Sequence, residues 1–337
     1  MMDESGTFNV SSRFPDFNVS SRVPDSAVFP ESGWNVPVAL PEEMEGFKLC
    51  WPLGRGSAGT VYQAEQIRQF AVKVIPWQSG DGRERARHEF ELGKLFQLCP
   101  EILQSTDYYE KDQNSFIVME YGTPCLRWFA NGNSTMHDVL DTVLNISRAL
   151  EEIHAQGYTH SDVKPDNIIM VKGKAKLADF SHCSKLIPGQ TYDRSMGSGV
   201  YIAPEVRPGG TYTGREDLYS LGITMYVLLM AGRKPFDFSD RDTHRRESGD
   251  RIESLFIHPE LLAIIQRAAA YDADDRYPDI QTFSGEIRAF MDRHEGALDE
   301  EMPLYRMIPS LQQTEPPYLF GGGSGPILDW DKTLEES

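Results

Sequence analysis

One stretch limits what this chain can become more than any other. It is His160-Ser-Asp162-Val-Lys164-Pro-Asp-Asn167-Ile-Ile169, followed twelve residues after Asn167 by Leu177-Ala-Asp179-Phe-Ser181. A long amphipathic pattern runs into it. From Met136 onward, Val139, Leu140, Val143, Leu144, Ser147, Leu150 and Ile153 recur at helical spacing, and the pattern stops at Gly157, as a helix does when glycine follows its last turn. Short strands are expected around 168–171 and 175–178. Asp162, Lys164 and Asn167 therefore form a compact polar cluster just after a packed helix, and Asp179 follows a strand. A carboxylate can accept a hydroxyl proton, and a lysine can hold a migrating phosphate. Amide and carboxylate oxygens can coordinate Mg2+.

Upstream, Leu53-Gly54-Arg55-Gly56-Ser57-Ala-Gly59-Thr-Val61 carries the pattern G-x-G-x-x-G. Alone this is a weak signal. A dinucleotide fingerprint has the same spacing but needs a helix directly after the glycines. Here the residues alternate as a strand through Val61 and Tyr62 and lead to a second strand, Phe70-Ala-Val-Lys-Val-Ile75. A strand–glycine–strand hairpin lays bare backbone N–H groups over phosphates, because glycine puts no Cβ in the way. Lys73 follows Gly59 by fourteen residues and has apolar neighbours on both sides. An ammonium there needs a partner, since burying it alone is costly. A surface lysine on an edge strand is the bland alternative, and the glycine hairpin before it favours a phosphate-binding lysine. A charged helix is expected over 81–98, offering Glu89 or Glu91 to Lys73. At ~100° per residue the two point about 200° apart. Glu91 shares a face with Leu92, Leu95 and Leu98, and Glu89 shares one with Gly93. The expectation is that Glu91 faces Lys73 and Glu89 is solvated.

Taken in order, these motifs resemble the eukaryotic-type (Hanks-type) serine/threonine protein kinase family over residues 47–294. The resemblance implies an α+β, bilobal protein-kinase-like fold, with a small β-rich N-lobe over 47–122 and a larger, mainly helical C-lobe over 123–294. It implies ATP and Mg2+ as cofactors. Gly54, Arg55, Gly56, Ser57 and Gly59 match the glycine-rich loop, and Lys73 the lysine that holds the α and β phosphates. Asp162 matches the catalytic aspartate, Lys164 the lysine that neutralises the γ-phosphate, and Asn167 and Asp179 the metal ligands. Val61, Ala71 and Ile169 are implied to sandwich adenine, with Met119 as gatekeeper and Glu120, Tyr121 and Gly122 as hinge. Ala203-Pro204-Glu205 matches the end of the activation segment, Asp217 the anchor of the catalytic loop, and Arg276 the partner of Glu205. Ser198 is placed against Asp162 and Lys164. The implied partner is a protein with a serine or threonine acceptor, which the 27-residue segment from Asp179 to Glu205 also favours.

Two departures from the family pattern bear on regulation. Ser161 stands where many kinases have an arginine that pairs with a phosphorylated activation-loop residue. Its absence leads us to expect activity without that phosphorylation. Ser181 replaces the glycine of Asp-Phe-Gly and tolerates fewer backbone angles, so restricted flipping of Phe180 or lowered activity is expected. Three rival functions remain at this point: a pseudokinase scaffold that binds nucleotide without transfer, a kinase fold acting on a small molecule, and an interaction module whose tails do the work.

Charge excludes one further class. The chain has 337 residues and a net charge of −18. Eight acids against two arginines fall in residues 1–46, and nine acids against two bases fall in 295–337. No basic stripe is available to neutralise phosphates, so a nucleic-acid partner is not expected. The segment 1–46 is expected to be disordered. It holds a nine-residue tandem repeat, Phe8-Asn-Val-Ser-Ser-Arg13-Phe-Pro-Asp16 and Phe17-Asn-Val-Ser-Ser-Arg22-Val-Pro-Asp25. Residues 295–337 are expected to form an acidic, Pro- and Gly-containing tail, and either end is a candidate docking segment for unidentified partners. Cys50, Cys99, Cys125 and Cys183 are widely spaced and read as reduced thiols. With no signal-peptide pattern and no apolar run long enough to span a bilayer, a cytoplasmic location without membrane association is expected.

Overall fold

Antiparallel strands build the first part of the chain, and buried helices build the second. The computed structural model describes residues 43–44, 47–56, 59–66, 69–77, 81–131, 134–187, 189, 191, 197–236, 252, 254 and 256–298, with side chains from residue 69 onward. They divide into two units between residues 68 and 69. The tandem repeat and the greater part of the acidic tail lie outside the described residues.

The first unit holds β1 (Glu43–Met44), β2 (Phe47–Gly56) and β3 (Gly59–Gln66) in one antiparallel sheet of order β1-β2-β3. Pro52 has no N–H to give to the ladder, and the register shifts on both sides of it, between Leu49 and Pro52 and between Pro52 and Gly54. Such an irregularity is what proline imposes inside a strand. The hairpin closes at Gly56 opposite Gly59.

The second unit opens with an antiparallel sheet of order β4-β6-β5, made of β4 (Phe70–Pro76), β5 (Ser105–Lys111) and β6 (Asn114–Glu120). Asp112 and Gln113 join β5 to β6 with φ of 48° and 58°, the left-handed pair that matches the twist of a two-residue hairpin. Helix α1 (Gly82–Leu95) packs on this sheet. It ends three residues short of the expected Leu98.

The rest is mainly helical: α2 (Cys125–Asn131), α3 (Met136–Ala155), α4 (Arg215–Leu229), α5 (Pro259–Ala268) and α6 (Ile280–Arg293). Helix α3 starts on a reciprocal cap, in which Thr135 Oγ1 accepts from Asp138 N–H and the Asp138 carboxylate accepts from Thr135 N–H. A cap of this kind stabilises by about 1 kcal/mol. One face of α3, including Val139, Leu140, Val143, Ile146, Leu150 and Ile153, is fully buried. Helix α4 is buried on nearly every side, so its long apolar run belongs to the core. Short strands sit between the helices: β7 (Thr123–Pro124), β8 (Tyr158–Thr159), β9 (Ile168–Val171), β10 (Lys174–Leu177) and β11 (Ser184–Lys185). They pair as β10-β9-β7 and β11-β8. The core extends to Leu298, whose carbonyl accepts from His137 N–H at 3.0 Å. A β-rich beginning and a helical remainder give the α+β class expected. Among the described residues no helix is long and apolar enough to cross a membrane.

Candidate active site

Alternation along β4 turns Ala71, Lys73 and Ile75 to one side of the sheet, away from exposed Phe70, Val72 and Val74. Lys73 Nζ donates to Glu89 Oε1 at 2.7 Å, to Glu89 Oε2 at 3.0 Å and to Asp179 Oδ1 at 3.0 Å. Burial pulls the ammonium towards neutrality, but the two carboxylates outweigh it and Lys73 titrates above its ordinary value. Burial lifts the Glu89 carboxyl to about 7, with Lys73 offsetting part of the rise. Asp179 is buried too, yet Lys73 and Ser181 hold it well below the usual carboxylate range.

The partner of Lys73 is Glu89, and the expectation of Glu91 is corrected. Glu91 is exposed. The inner face of α1 is Gly82, Ala86, Glu89, Leu92 and Gly93, continued by Phe96. Leu95 and Leu98, taken as core residues, are 46% and 92% exposed. Gly93 suits that face because a Cβ there would stand 3.3 Å from Ser105 Oγ and 4.0 Å from the Phe180 ring. Phe180 lies beside the same face and packs on Phe96 and His160 at ring distances of 5.6 and 5.5 Å.

The loop between β8 and the 3-10 turn Pro165–Asn167 is held from below by Asp217 of α4. Its Oδ1 accepts from Ser161 N–H at 2.7 Å. Its Oδ2 accepts from His160 N–H at 2.8 Å and Thr159 Oγ1 at 2.9 Å, and lies 2.8 Å from His154 Nε2. Ser161 takes φ of 64° at this point. His160 is fully buried, its Nε2 facing Ala178 O at 3.2 Å and its Nδ1 accepting from Asp162 N–H. Burial lowers its pKa, and these two bonds fit the neutral ring with its proton on Nε2.

Asp162 stands above this anchor. Its Oδ2 accepts from Lys164 Nζ at 2.8 Å and from Asn167 Nδ2 at 3.0 Å. Lys164 also donates to Ser198 Oγ at 2.6 Å. Asp162 Oδ1 is buried and has no hydrogen-bond partner among the described residues. An unsatisfied buried carboxylate oxygen is costly, so this atom is poised for a donor that arrives from outside. Asn167 spends both amide hydrogens on Asp162, one on its carbonyl and one on Oδ2, which leaves the amide oxygen as an acceptor. Asp179 Oδ1 accepts from Lys73 Nζ and from Ser181 N–H. The Asn167 amide oxygen and the Asp179 carboxylate are hard ligands of the kind that suits Mg2+.

Residues 47–294 match the protein kinase domain family. The chain belongs to the protein kinase family. Its curated relatives include the probable serine/threonine-protein kinase PknB of Lactococcus lactis, 28% identical over 72% of this chain and 41% of the relative. Another is the serine/threonine-protein kinase PrkC of Bacillus subtilis, 27% identical over 80% of this chain and 45% of the relative. A third, the serine/threonine-protein kinase ULK3 of Rattus norvegicus, is 29% identical over 68% of this chain and 50% of the relative. The chain thus spans half or less of the length of these kinases.

The remaining family positions fall as follows. Met119 and Ile169 lie in one buried apolar cluster, with Ala71 packed against it. Gly122 is pressed against the Ile169 side chain, where a Cβ would come within 2.5 Å. The Glu120 carboxylate ties the end of β6 down, accepting from Lys176 Nζ at 2.6 Å and Gln104 N–H at 3.0 Å, while Tyr121 is exposed. Arg276 is fully buried and meets Glu205 through two bonds of 2.6 and 2.8 Å. Gly54, Arg55, Gly56, Gly59 and Val61 lie along the β2–β3 hairpin, and Ser57 lies outside the described residues. Ser181 adopts no positive φ, and Asp179 carries it instead at 67°, so serine meets no left-handed strain at this position. Sequence reasoning missed His154, whose only signal was a polar residue on the last turn of an otherwise apolar helix face. It also missed the tie from Lys176 to Glu120.

Proposed function

We propose that this chain transfers the γ-phosphate of ATP to serine or threonine hydroxyls of protein substrates. The observation that carries this reading is Asp162 Oδ1, an acceptor without a donor among the described residues, beside a lysine, an amide and a serine hydroxyl. In phosphoryl transfer the protein works by positioning and by electrostatic stabilisation of spread negative charge. Asp162 orients the substrate hydroxyl and takes its proton. Lys164 offsets charge on the phosphoryl group, and Lys73 fixes the nucleotide phosphates while Glu89 holds its ammonium in place. Ala71 and Ile169, which share one apolar cluster, supply surface for the base. Asn167 and Asp179 would hold Mg2+, which would supply neutralisation of phosphate charge. This retained set favours transfer over a nucleotide-binding scaffold. Incubating the chain with radiolabelled ATP, Mg2+ and a generic basic protein tests the reading. Wild type is expected to label the substrate and Lys73→Met to fail, whereas a wild type that transfers no label sinks the proposal.

The choice between the two glutamates has its own consequence. Glu89→Ala is expected to lower kcat/KM for ATP by about 10²-fold, because Lys73 loses the carboxylate that takes two of its hydrogen bonds and can swing out of position. Glu91→Ala should stay within about twofold. Below about 7, Glu89 takes a proton and its pairing with Lys73 weakens, so activity falls as pH drops from 8 to 6. Stability runs the other way. The folded carboxyl binds its proton more tightly than the unfolded one, so its stability contribution is greatest below the ordinary carboxylate value and is lost as pH rises through about 7. Steady-state kinetics across this range, with Glu89→Gln lacking the acid limb, checks it.

Regulation follows from Ser161. Support comes from the loop being fixed by Asp217 through backbone N–H groups, a hold that needs no phosphate. We expect Thr191→Ala, Tyr192→Ala and Ser195→Ala each to retain activity within about twofold of wild type. Tyr192 and Ser195 lie outside the described residues. Collapse of transfer in any of the three would show that an activating phosphate is required.

A further inference from the structure

We propose that His258, Glu260 and His294 form a binding site for a divalent transition metal, with Zn2+ as the ion it suits best. One ligand atom from each residue lies within 4.8 Å of the other two. Tetrahedral zinc with bonds of about 2.0–2.1 Å sets its ligands roughly 3.3 Å apart. The pair Glu260 Oε1 and His294 Nε2 already stands at 3.2 Å, so only the His258 ring has to close in. Two imidazoles and one carboxylate select a borderline-soft ion over Mg2+ or Ca2+, which take oxygen ligands. Three protein ligands leave a fourth position for water.

The surroundings orient the three groups. Arg293 donates to Glu260 Oε2 at 2.8 Å, which turns Oε1 towards the histidines, in the way that outer hydrogen bonds aim metal ligands. The rings of His258 and His294 stand 4.7 Å apart, and both pack on fully buried Phe290, at 5.2 and 4.5 Å. Both histidines are half-buried and Glu260 is exposed, so an ion has access. His258 caps the start of α5, Glu260 lies in its first turn and His294 ends α6. The ion would therefore clip the beginning of one helix to the end of the next. Its cost is the long 3.3 Å cap bond from Glu260 N–H to His258 Nδ1, which coordination replaces. None of these residues belongs to the phosphoryl-transfer set, so the site stands or falls independently of kinase activity.

The full chain, stripped with a chelator and dialysed, is titrated with Zn2+ alone by calorimetry and by thermal melting. The expected result is one Zn2+ per chain and a melting temperature raised by about 5 °C at a hundredfold excess over Kd. Affinity should fall at least about tenfold in His294→Ala, in Glu260→Gln and in His258→Asn. Asparagine keeps the helix cap while removing the ring. Glu260 is exposed, so Glu260→Gln decides the matter should a histidine variant misfold. Absence of uptake by wild type overturns the site, and so does uptake that persists undiminished in Glu260→Gln, since the ion then sits elsewhere, for example on the thiols.

Discussion

Asp162→Asn is expected to lower kcat by about 10²- to 10⁴-fold, the range over which a positioned general base contributes. The substitution keeps the shape of the side chain. Its amide oxygen can still accept from Lys164 and Asn167, as Oδ2 does now at 2.8 and 3.0 Å. The amide nitrogen then replaces Oδ1, a buried carboxylate oxygen without a hydrogen-bond partner among the described residues. A donor stands where the incoming hydroxyl needs an acceptor, and no group remains to take the proton. Contacts made by Lys73, Asn167 and Asp179 are untouched, so affinity for Mg·ATP should stay within about twofold. Label transfer measured at saturating substrate, together with calorimetric nucleotide binding, separates the two effects. A variant within tenfold of wild type in kcat would remove Asp162 from the chemistry, and a parallel loss of nucleotide binding would make its role structural.

Much of this was legible in the residues before any coordinates. The period of 3.6 between Met136 and Ile153 marks α3, because a helix buried on one face must repeat its apolar residues at that spacing. The alternation around Lys73 marks β4 for the matching reason. What failed was the choice of face on α1. Leucines are a sound guide to a buried face only when the neighbour they meet is apolar. Here the inner face meets Lys73, Ser105 and Phe180, so it carries a glutamate and a glycine, and Leu95 and Leu98 are left outside. Backbone conformation was equally hidden. Asp179 and Ser161 take left-handed conformations, at φ of 67° and 64°, which their residue types do not announce. Contacts between distant residues leave no trace in a single sequence either. Nothing in the spacing of His258, Glu260 and His294 announces that α5 and α6 bring them together. His154 reads as an ordinary polar residue until Asp217 is seen beside it.

That last contact sets up the largest stability effect expected in the molecule. Asp217 is completely buried and satisfies Thr159 Oγ1–H, His160 N–H and Ser161 N–H while facing His154 Nε2. Asp217→Ala removes the acceptor and strands those donors away from water. Each stranded donor costs about 1–3 kcal/mol, and partial relaxation of the loop leaves a net loss of about 4 kcal/mol. For a domain of this size that is a fall in Tm of about 10 °C. Asp217→Asn should lose about half as much. Its amide oxygen can serve the three groups now on Oδ2, but its amide hydrogens meet the Ser161 N–H head-on. Burial alone would raise the Asp217 carboxyl, but His154 and the neighbouring donors hold it below its ordinary value. A depressed folded pKa gives stability that is present above the unfolded value, about 4, and is lost as pH falls below it. The wild type should therefore lose more stability than Asp217→Ala on acidification, and the two melting curves should converge. Thermal melts at neutral and acid pH measure both quantities. A drop of less than about 3 °C at neutral pH would mean that the backbone of 159–161 is held by something other than this carboxylate, and the placement of Asp162 would then need another cause.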